Sequence, residues 1–436
     1  MHPLQKLVQL QKQGNKVGIY SACSANEYVL EAVMEKAKKT NSVCLIEATS
    51  NQVNQYGGYT GMKPKDFYDF CWKLADRVGI DSSQLILGGD HLGPLTWTDM
   101  VEEKAMMEAE VLVREYVLAG FSKIHIDTSM RVADDDVNIA LSTEVIANRG
   151  ARLAKVCEDA CQELLITNPE AVAPVYIIGS EVPIPGGAQE EEGLHVTLPE
   201  DFRTTVETFR SAFAKLGLDS IWSRVIGVVV QPGVEFGDTS IDEYNREAAK
   251  ELVKALDDYD SLVFEGHSTD YQTVKGLTEM VEDGIAILKV GPGLTFAARE
   301  AMFALAHIEE ELLSGITKTS NFIEVLDKAM LDQPSNWSKH YHGDTNQQAF
   351  KRKYSYSDRC RYYLPVPEIQ ESLKLLIKNL RDNEIPLSIL SAYLPIQYTK
   401  IRNKELALDP EAIVKDRVVD MIDEYLKATK QEEIKL

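Results

Sequence analysis

The chain has 436 residues, of which 44% are hydrophobic and 26% are charged, and its formal net charge is -22. This composition excludes an intrinsically disordered chain, and the acidic balance argues against nucleic-acid binding, which needs a basic surface. The N-terminus lacks a secretion-signal pattern, and no apolar run approaches the roughly 20 residues that span a bilayer. We therefore expect a cytoplasmic protein with six reduced cysteines and no nucleic-acid or membrane partner.

Short β-branched runs alternate with longer amphipathic stretches over the first three quarters of the chain. This alternation is typical of repeated βα units around a parallel sheet. Helix-start signals fall between the runs, for example at Lys63-Pro64 and at Thr239-Ser240-Ile241-Asp242. In chain order, the eight predicted strands are VGIY from Val17, VCLIE from Val43, LILGG from Leu85, KIHID from Lys123, VYIIG from Val175, VIGVVV from Val225, LVFEG from Leu262 and AILKVG from Ala286.

Eight βα units in about 315 residues favour an α/β fold of the (β/α)8 TIM barrel type over an open doubly wound sheet. Two smaller α/β domains are the alternative. No Gly-x-Gly-x-x-Gly follows the first strand, which argues against a dinucleotide-binding fold. The strand signal ends near Ser314, and helical segments follow. We therefore predict a barrel over residues 1–315 and a helical C-terminal extension over residues 316–436 that packs on it.

Polar residues follow six of the predicted strands, at the barrel end where active sites lie. Clustered carboxylates repel one another and raise each other's pKa, and a divalent cation would relieve that repulsion. Mixed imidazole, carboxylate and amide ligands suit zinc, manganese or a similar ion. A site organised by hydrogen bonds alone is the alternative. The strand-end residues are Glu47 and Asn51, Asp90 and His91, Asp127 and Ser129, Glu181, Gln231 and Glu235, and Glu265 and His267.

Glycine-rich turns follow the last two strands, at Gly266-His267-Ser268 and Gly291-Pro292-Gly293. In many barrels these two turns bind a phosphate group through bare backbone N–H groups. Each glycine alone could equally serve a tight connection, but the adjacent pair favours phosphate binding. Strand alternation places His125 on the same face as Asp127, which fits a site residue and a buried structural histidine equally well.

Through eight motifs, the sequence resembles the GatZ/KbaZ-like family, whose members are regarded as accessory subunits of class II tagatose-1,6-bisphosphate aldolase. The resemblance covers nearly the whole chain. It also extends to the catalytic class II aldolases, which are zinc-dependent barrels. The matching motifs are IEATSNQVNQYGGYTGM, GGDHLGP, HIDTSM, GSEVPIPGGAQE, QPGVEFGD, FEGHSTDYQ, KVGPGLTFAAREA and YSYSDRCRYYLP.

The resemblance assigns roles to the strand-end residues. It implies that Asp90 moves a proton, that His91 binds the metal, and that Asn51 contacts substrate. It also implies that Asp127 lies behind the metal ligands and that Glu181 lies near the metal.

Three positions depart from the aldolase pattern. Gln231 and Glu265 match two metal-binding histidines of the aldolases, and Gly291 matches a catalytic asparagine. Glutamate can still bind a metal ion, and glutamine can do so weakly through its carbonyl oxygen. The departures argue against ordinary cleavage of a ketose bisphosphate.

Two functions follow from the resemblance. In the first, the protein is a metal-dependent ketose or ketose-phosphate 4-epimerase that interconverts tagatose 6-phosphate and fructose 6-phosphate through the C3–C4 bond. In the second, it is a non-catalytic subunit that stabilises an aldolase catalytic subunit. We favour the enzyme, and we expect a ketose phosphate substrate and a homo-oligomer. The predicted site comprises catalytic Asp90, Glu181 and Glu235; metal ligands His91, Gln231 and Glu265; and substrate contacts Asn51, Asp127, Ser129, His267, Ser268, Gly291, Arg359 and Arg361.

Overall fold

The computed structural model describes residues 1–182 and 195–434, so most of the GSEVPIPGGAQE motif lies outside the described residues. Eight strands form a closed parallel barrel in the spatial order β1-β10-β9-β6-β5-β4-β3-β2, and β7 and β8 form a separate antiparallel pair. This confirms the (β/α)8 barrel, and the alternative of two α/β domains is wrong because one sheet closes on itself. The strands are β1 (Ile19–Ala22), β2 (Cys44–Thr49), β3 (Leu85–Leu92), β4 (Lys123–Ile126), β5 (Val175–Ile178), β6 (Val225–Val230), β7 (Glu235–Phe236), β8 (Ile241–Asp242), β9 (Val263–Gly266) and β10 (Ile285–Val290).

Helices surround the barrel and form its C-terminal region. The predicted helix start at Lys63-Pro64 is confirmed, whereas Ile241 and Asp242 form β8 and the next helix begins only after Asn245 caps it. The helices are α1 (Pro3–Lys12), α2 (Glu27–Thr40), α3 (Pro64–Val78), α4 (Glu102–Ala119), α5 (Thr143–Thr167), α6 (Pro199–Lys215), α7 (Arg246–Ala255), α8 (Val274–Glu282), α9 (Pro292–Leu313), α10 (Phe322–Asp332), α11 (Thr345–Tyr354), α12 (Pro367–Asp382), α13 (Leu387–Tyr393), α14 (Pro395–Arg402) and α15 (Pro410–Thr429).

The interior of the barrel changes character along its axis. At the amino-terminal end, Leu4 and Leu7 of α1 pack against buried aliphatic residues of the strands and close the barrel. Towards the carboxyl end the interior carries charged side chains instead. Gly88 on β3 makes this possible, because a Cβ there would lie 2.8 Å from the Glu47 side chain.

The C-terminal helix α15 is part of the barrel wall. It packs against α2, α8, α9 and β1. The backbone N–H of Gly18 donates to the carbonyl oxygen of Thr429 (2.8 Å), and the Gln431 side chain bonds both Tyr20 and Val43. A helical C-terminal region is thus present, and the domain boundary at residue 315 stays a prediction. In the described part of the chain, no helix has the length and apolar character that a bilayer crossing requires.

Candidate metal centre

Two buried lysines organise the carboxylates inside the barrel. The ammonium of Lys123, on β4, lies 2.8 Å from Glu47 and 2.7 Å from Glu265, and all three side chains are fully buried. The ammonium of Lys289, on β10, lies 2.8 Å from Glu47 and 3.0 Å from Asp90. Each charge in this layer therefore has a partner, which buried charges require.

Three histidines lie above this layer, and each is held by a different carboxylate. His91 Nδ1 is 2.8 Å from Asp127, His125 Nδ1 is 2.9 Å from Asp90, and His267 Nε2 is 3.0 Å from Glu265. Because an ionised carboxylate accepts only, we assign an N–H to each of these ring nitrogens. The backbone N–H of His91 also lies 3.1 Å from His125 Nδ1, but the carboxylate is the stronger partner. Each ring then keeps its other nitrogen free as a ligand.

The geometry of this histidine cluster (His91, His125 and His267) fits a divalent transition metal. The ring centroids are 4.9 to 5.1 Å apart, and one potential ligand atom from each ring and from Asp90 lies within 4.8 Å of the others. The Nε2 atom of His125 is buried and has no hydrogen-bond partner among the residues that the structure describes. A histidine whose second nitrogen donates to a carboxylate is the usual metal ligand. These residues therefore suit zinc, manganese or a similar ion.

The pKa shifts in the cluster follow from burial and charge. Burial works against ionisation of Asp90, but Lys289 and His91 outweigh it and hold the pKa of Asp90 well below its usual range. The pKa of His267 falls to about 4, mainly because the ring is buried. Burial also opposes protonation of His91, yet Asp90 and Asp127 raise its pKa. The cluster thus keeps Asp90 ionised and His267 neutral near neutral pH.

A solvent-open cavity lies above the cluster at the carboxyl ends of the strands. His91 and Ser268, both on its wall, adopt left-handed backbone conformations with φ of 49° and 51°. Such strained residues concentrate at functional sites. The predicted site residues that line this cavity are Asn51, Asp90, His91, His267, Ser268, Gly291 and Arg361.

The C-terminal region contributes to the cavity wall. Arg361 and Tyr362 line it, and the Arg361 guanidinium lies 4.5 Å from the centroid of the Tyr362 ring. Tyr362 in turn contacts Tyr59 edge-on. Arg359 points elsewhere: its side chain is buried and donates to the carbonyl oxygen of Asn336 (3.1 Å). Of the two predicted phosphate-binding arginines, only Arg361 therefore lines the cavity.

The two ligands inferred by matching the aldolases lie outside the group of ligand atoms. The Oε1 atom of Gln231 accepts the backbone N–H groups of Gly233 and Val234, which fixes a turn after β6. Glu265 lies behind His267 and pairs with Lys123. Both side chains have other partners, whereas the rings of the histidine cluster present potential ligand atoms.

Other predicted residues have supporting positions. Asp127 binds His91 and accepts from Ser129 (2.7 Å from the hydroxyl), so neither residue lines the cavity. Glu181 is exposed and accepts from the Thr197 hydroxyl (2.6 Å). The Glu235 carboxyl is buried and hydrogen-bonded to Ser268, and burial raises its pKa to about 7. Glu235 therefore stays a candidate acid–base group, whereas the one side-chain hydrogen bond of Glu181 within the described residues is to Thr197, outside the cluster.

The glycine cradle, which we define as the backbone N–H groups of Gly291 and Gly293, is already occupied. The Oδ1 atom of Asp270 accepts from both, at 2.9 and 2.7 Å. Burial raises the pKa of Asp270 to about 6, although the two N–H groups oppose this shift. The expected phosphate position at Gly291 therefore contains an internal carboxyl group.

Sequence reasoning missed Lys123, Lys289 and Asp270 as site residues. The two lysines could have been found from the sequence, because each lies inside an otherwise apolar strand, in KIHID and in AILKVG. Lysine is almost never fully buried without a partner, so this pattern indicates a buried ion pair. Asp270 lies within the FEGHSTDYQ motif, but nothing in the sequence indicates which N–H groups it accepts from.

A (β/α)8 barrel with histidines anchored by carboxylates at the strand ends defines a class of proteins that can hold a divalent cation. The chain belongs to the GatZ/KbaZ-like family, because residues 4–430 match the family described as D-tagatose-1,6-bisphosphate aldolase subunit GatZ/KbaZ-like. It is similar to a crystal structure of a probable tagatose 6-phosphate kinase from Sinorhizobium meliloti 1021, with 43% identity and a TM-score of 0.85 over 94% of this chain and 100% of that one.

Aldolase structures are more distant. A fructose-bisphosphate aldolase from Campylobacter jejuni matches at 17% identity and a TM-score of 0.43, over 87% of this chain and 91% of that one. The YdjI aldolase from Escherichia coli K12 matches at 13% identity and a TM-score of 0.41, over 84% of this chain and 97% of that one.

Proposed function

We propose that this protein is a cytoplasmic, metal-dependent 4-epimerase that interconverts tagatose 6-phosphate and fructose 6-phosphate. The observation that supports an enzyme best is the histidine cluster, in which each of three buried rings is held by its own carboxylate. Two of the rings, His91 and His267, line a cavity that Asp90 and Lys289 also line. A purely stabilising subunit has no physical need for such an arrangement, because burying so many charges costs free energy.

Inversion at C4 of a ketose cannot proceed by removal of an α-proton, because C4 is not bonded to the C2 carbonyl carbon. Cleavage of the C3–C4 bond avoids this difficulty. The 4-hydroxyl loses its proton, C4 becomes an aldehyde carbon, and the C3–C4 electron pair moves into an enediolate over C2 and C3. The aldehyde fragment then turns, the enediolate attacks its other face, and the proton returns to O4. No oxidant or reductant is consumed.

The residues of the cavity supply the parts of this reaction. A divalent cation held by His91, His125 and His267 would provide Lewis-acid stabilisation of the negative charge that develops on oxygen. Asp90 lines the cavity as an ionised carboxylate and accepts the proton of the 4-hydroxyl. Lys289, 3.0 Å from Asp90, holds that carboxylate in place and adds positive charge beside the reacting oxygens.

Arg361 is the best candidate for the phosphate of the substrate. It lines the cavity, and within the described part of the chain no carboxylate lies within 4.0 Å of its guanidinium. Its Nη1 atom donates to the carbonyl oxygens of Ser357 and Asp358, and its Nη2 atom donates to the Tyr362 hydroxyl, so the guanidinium is fixed at the cavity wall. Its positive charge there would attract the phosphate. Glu235, bonded to Ser268 and with a pKa of about 7, is the second acid–base group.

The test uses the purified full chain loaded with zinc or manganese. Incubation with tagatose 6-phosphate alone should produce fructose 6-phosphate, and Asp90→Asn should lower the turnover number by about 100-fold or more. Asp76→Asn, which alters an exposed acid on α3 outside the cavity lining, is the matched control and should retain activity. A folded, metal-loaded protein that is inactive alone, yet raises the activity of a co-expressed aldolase catalytic subunit, would establish the non-catalytic role instead.

A further inference from the structure

Asp270 occupies the position at which many barrels bind phosphate. In such barrels the turns after strands seven and eight, together with a helix N-terminus, present N–H groups to the anion. Here the corresponding turn after β10 leads into α9, and its N–H groups at Gly291 and Gly293 donate to the Asp270 carboxyl at 2.9 and 2.7 Å. The donors that would recognise a phosphate are therefore satisfied from within the chain.

The surroundings show that this carboxyl group is built into the cavity wall. Asp270 is only 3% exposed, yet it lines the cavity together with Gly291 and Pro292. A Cβ on Gly293 would lie 3.1 Å from Asp270 Oδ1 and 3.0 Å from the sulfur of Met421. Glycine at 293 thus leaves the space that the carboxyl group needs to reach both N–H groups.

We propose that Asp270 is a specificity residue that closes the glycine cradle to phosphate, so that the substrate end facing the β9 and β10 turns carries a free hydroxyl group. This inference rests on the proposed function for the choice of a ketose, and it restricts the substrate to a ketose with a single phosphate. A bisphosphate would place its second dianion beside a buried carboxylate and would find no free N–H donor in the cradle.

This mechanism discriminates by repulsion as well as by attraction. A binding site rejects a competitor efficiently when it presents a like charge or an occupied donor to the group that distinguishes the two ligands. A sugar hydroxyl, by contrast, can donate to the remaining carboxylate oxygen of Asp270. One residue therefore separates a ketose monophosphate from the corresponding bisphosphate.

The experiment measures binding rather than turnover. Calorimetric titration of the full-length, metal-loaded protein with inorganic phosphate, fructose 6-phosphate and fructose 1,6-bisphosphate would compare the wild type with three variants. Asp270→Gly opens the cradle, Asp270→Asn keeps an oxygen in it but removes the charge, and Asp76→Asn, on the exposed face of α3, is the remote control. We expect Asp270→Gly to gain about tenfold or more in affinity for inorganic phosphate and for the bisphosphate.

The expected order of the gain is Asp270→Gly, then Asp270→Asn, with the affinity of Asp76→Asn unchanged. The proposal is overturned if the wild type binds the bisphosphate as tightly as the monophosphate, or if opening the cradle leaves the affinity for inorganic phosphate unchanged. Thermal unfolding verifies that each variant is folded, and Asp270→Ser replaces Asp270→Gly if the latter does not fold. Because no readout depends on catalysis, an inactive wild type that shows the expected binding would refute the epimerase and leave this inference standing.

Discussion

Two single substitutions, one at His125 and one at Gln231, decide between the two candidate sets of metal ligands. Matching the aldolase motifs assigns a ligand to Gln231, whereas the structure places the free Nε2 atom of His125 in the cluster. His125→Asn is the sharper substitution, because the asparagine amide can still donate to Asp90 while Nε2 is removed. Gln231→Ala removes an oxygen that is already bonded to two backbone N–H groups.

The size of the effect follows from the position of each residue. Loss of a residue that only orients a ligand typically costs 10- to 100-fold in metal affinity, so loss of a ligand should cost about 100-fold or more, or about 2.7 kcal/mol. We therefore expect His125→Asn to lose its ion on dialysis and Gln231→Ala to retain it with nearly unchanged affinity. Zinc content by mass spectrometry and competition with a chelator measure both. A Gln231→Ala variant that loses its ion while His125→Asn keeps it would refute this ligand assignment.

Three further predictions concern the buried charges around the cluster. Lys123→Met should lower the free energy of unfolding by about 3–5 kcal/mol, because it removes the buried ammonium group that Glu47 and Glu265 share. The exposed Lys65→Met should cost about 0.5 kcal/mol or less, and urea titration measures both. Glu235 has its pKa raised from 4.5 to about 7, so its ionisation destabilises the fold as the pH rises through 7. Glu235→Gln should therefore be more stable than the wild type by about 3 kcal/mol at pH 8 and equal to it below pH 4.5, and equal stability at pH 8 would contradict the shift. Arg361→Lys should raise KM for tagatose 6-phosphate about tenfold with little change in kcat, and a fall in kcat alone would argue against phosphate binding.

The barrel could be predicted from the sequence because its strands are short β-branched runs at regular spacing, each followed by a helical pattern. Their polar ends then indicated which face carries the site, and His91 and His267 were among the predicted residues that line the cavity. His125 could not be assigned, because alternation gives the face of a strand but not which of two polar functions its side chain has. The structure resolves this by placing its ring about 5 Å from the other two.

Site residues whose partners lie far away in the chain could not be predicted from the sequence. Lys123 pairs with Glu47 and Glu265 across the barrel, and such pairs depend on how the strands are staggered around it. Gln231 was mispredicted for a local reason. It lies at the strand end that the aldolase pattern indicates, but its side-chain oxygen accepts a backbone N–H of the turn that follows. A motif can thus indicate which strand end a residue occupies without indicating what its side chain contacts.

The charge of the site gives an independent reason to expect a cation there. The described residues around the cluster include four buried carboxylates, on Glu47, Asp90, Asp127 and Glu265, and two buried ammonium groups, on Lys123 and Lys289. At their formal charges, these six groups together carry two negative charges in a region where uncompensated charge is costly. A divalent cation among the imidazole nitrogens would balance them. The two lysines reduce the net charge of the four carboxylates to minus two, which one divalent cation would neutralise. A site built only from internal ion pairs would instead have no net charge.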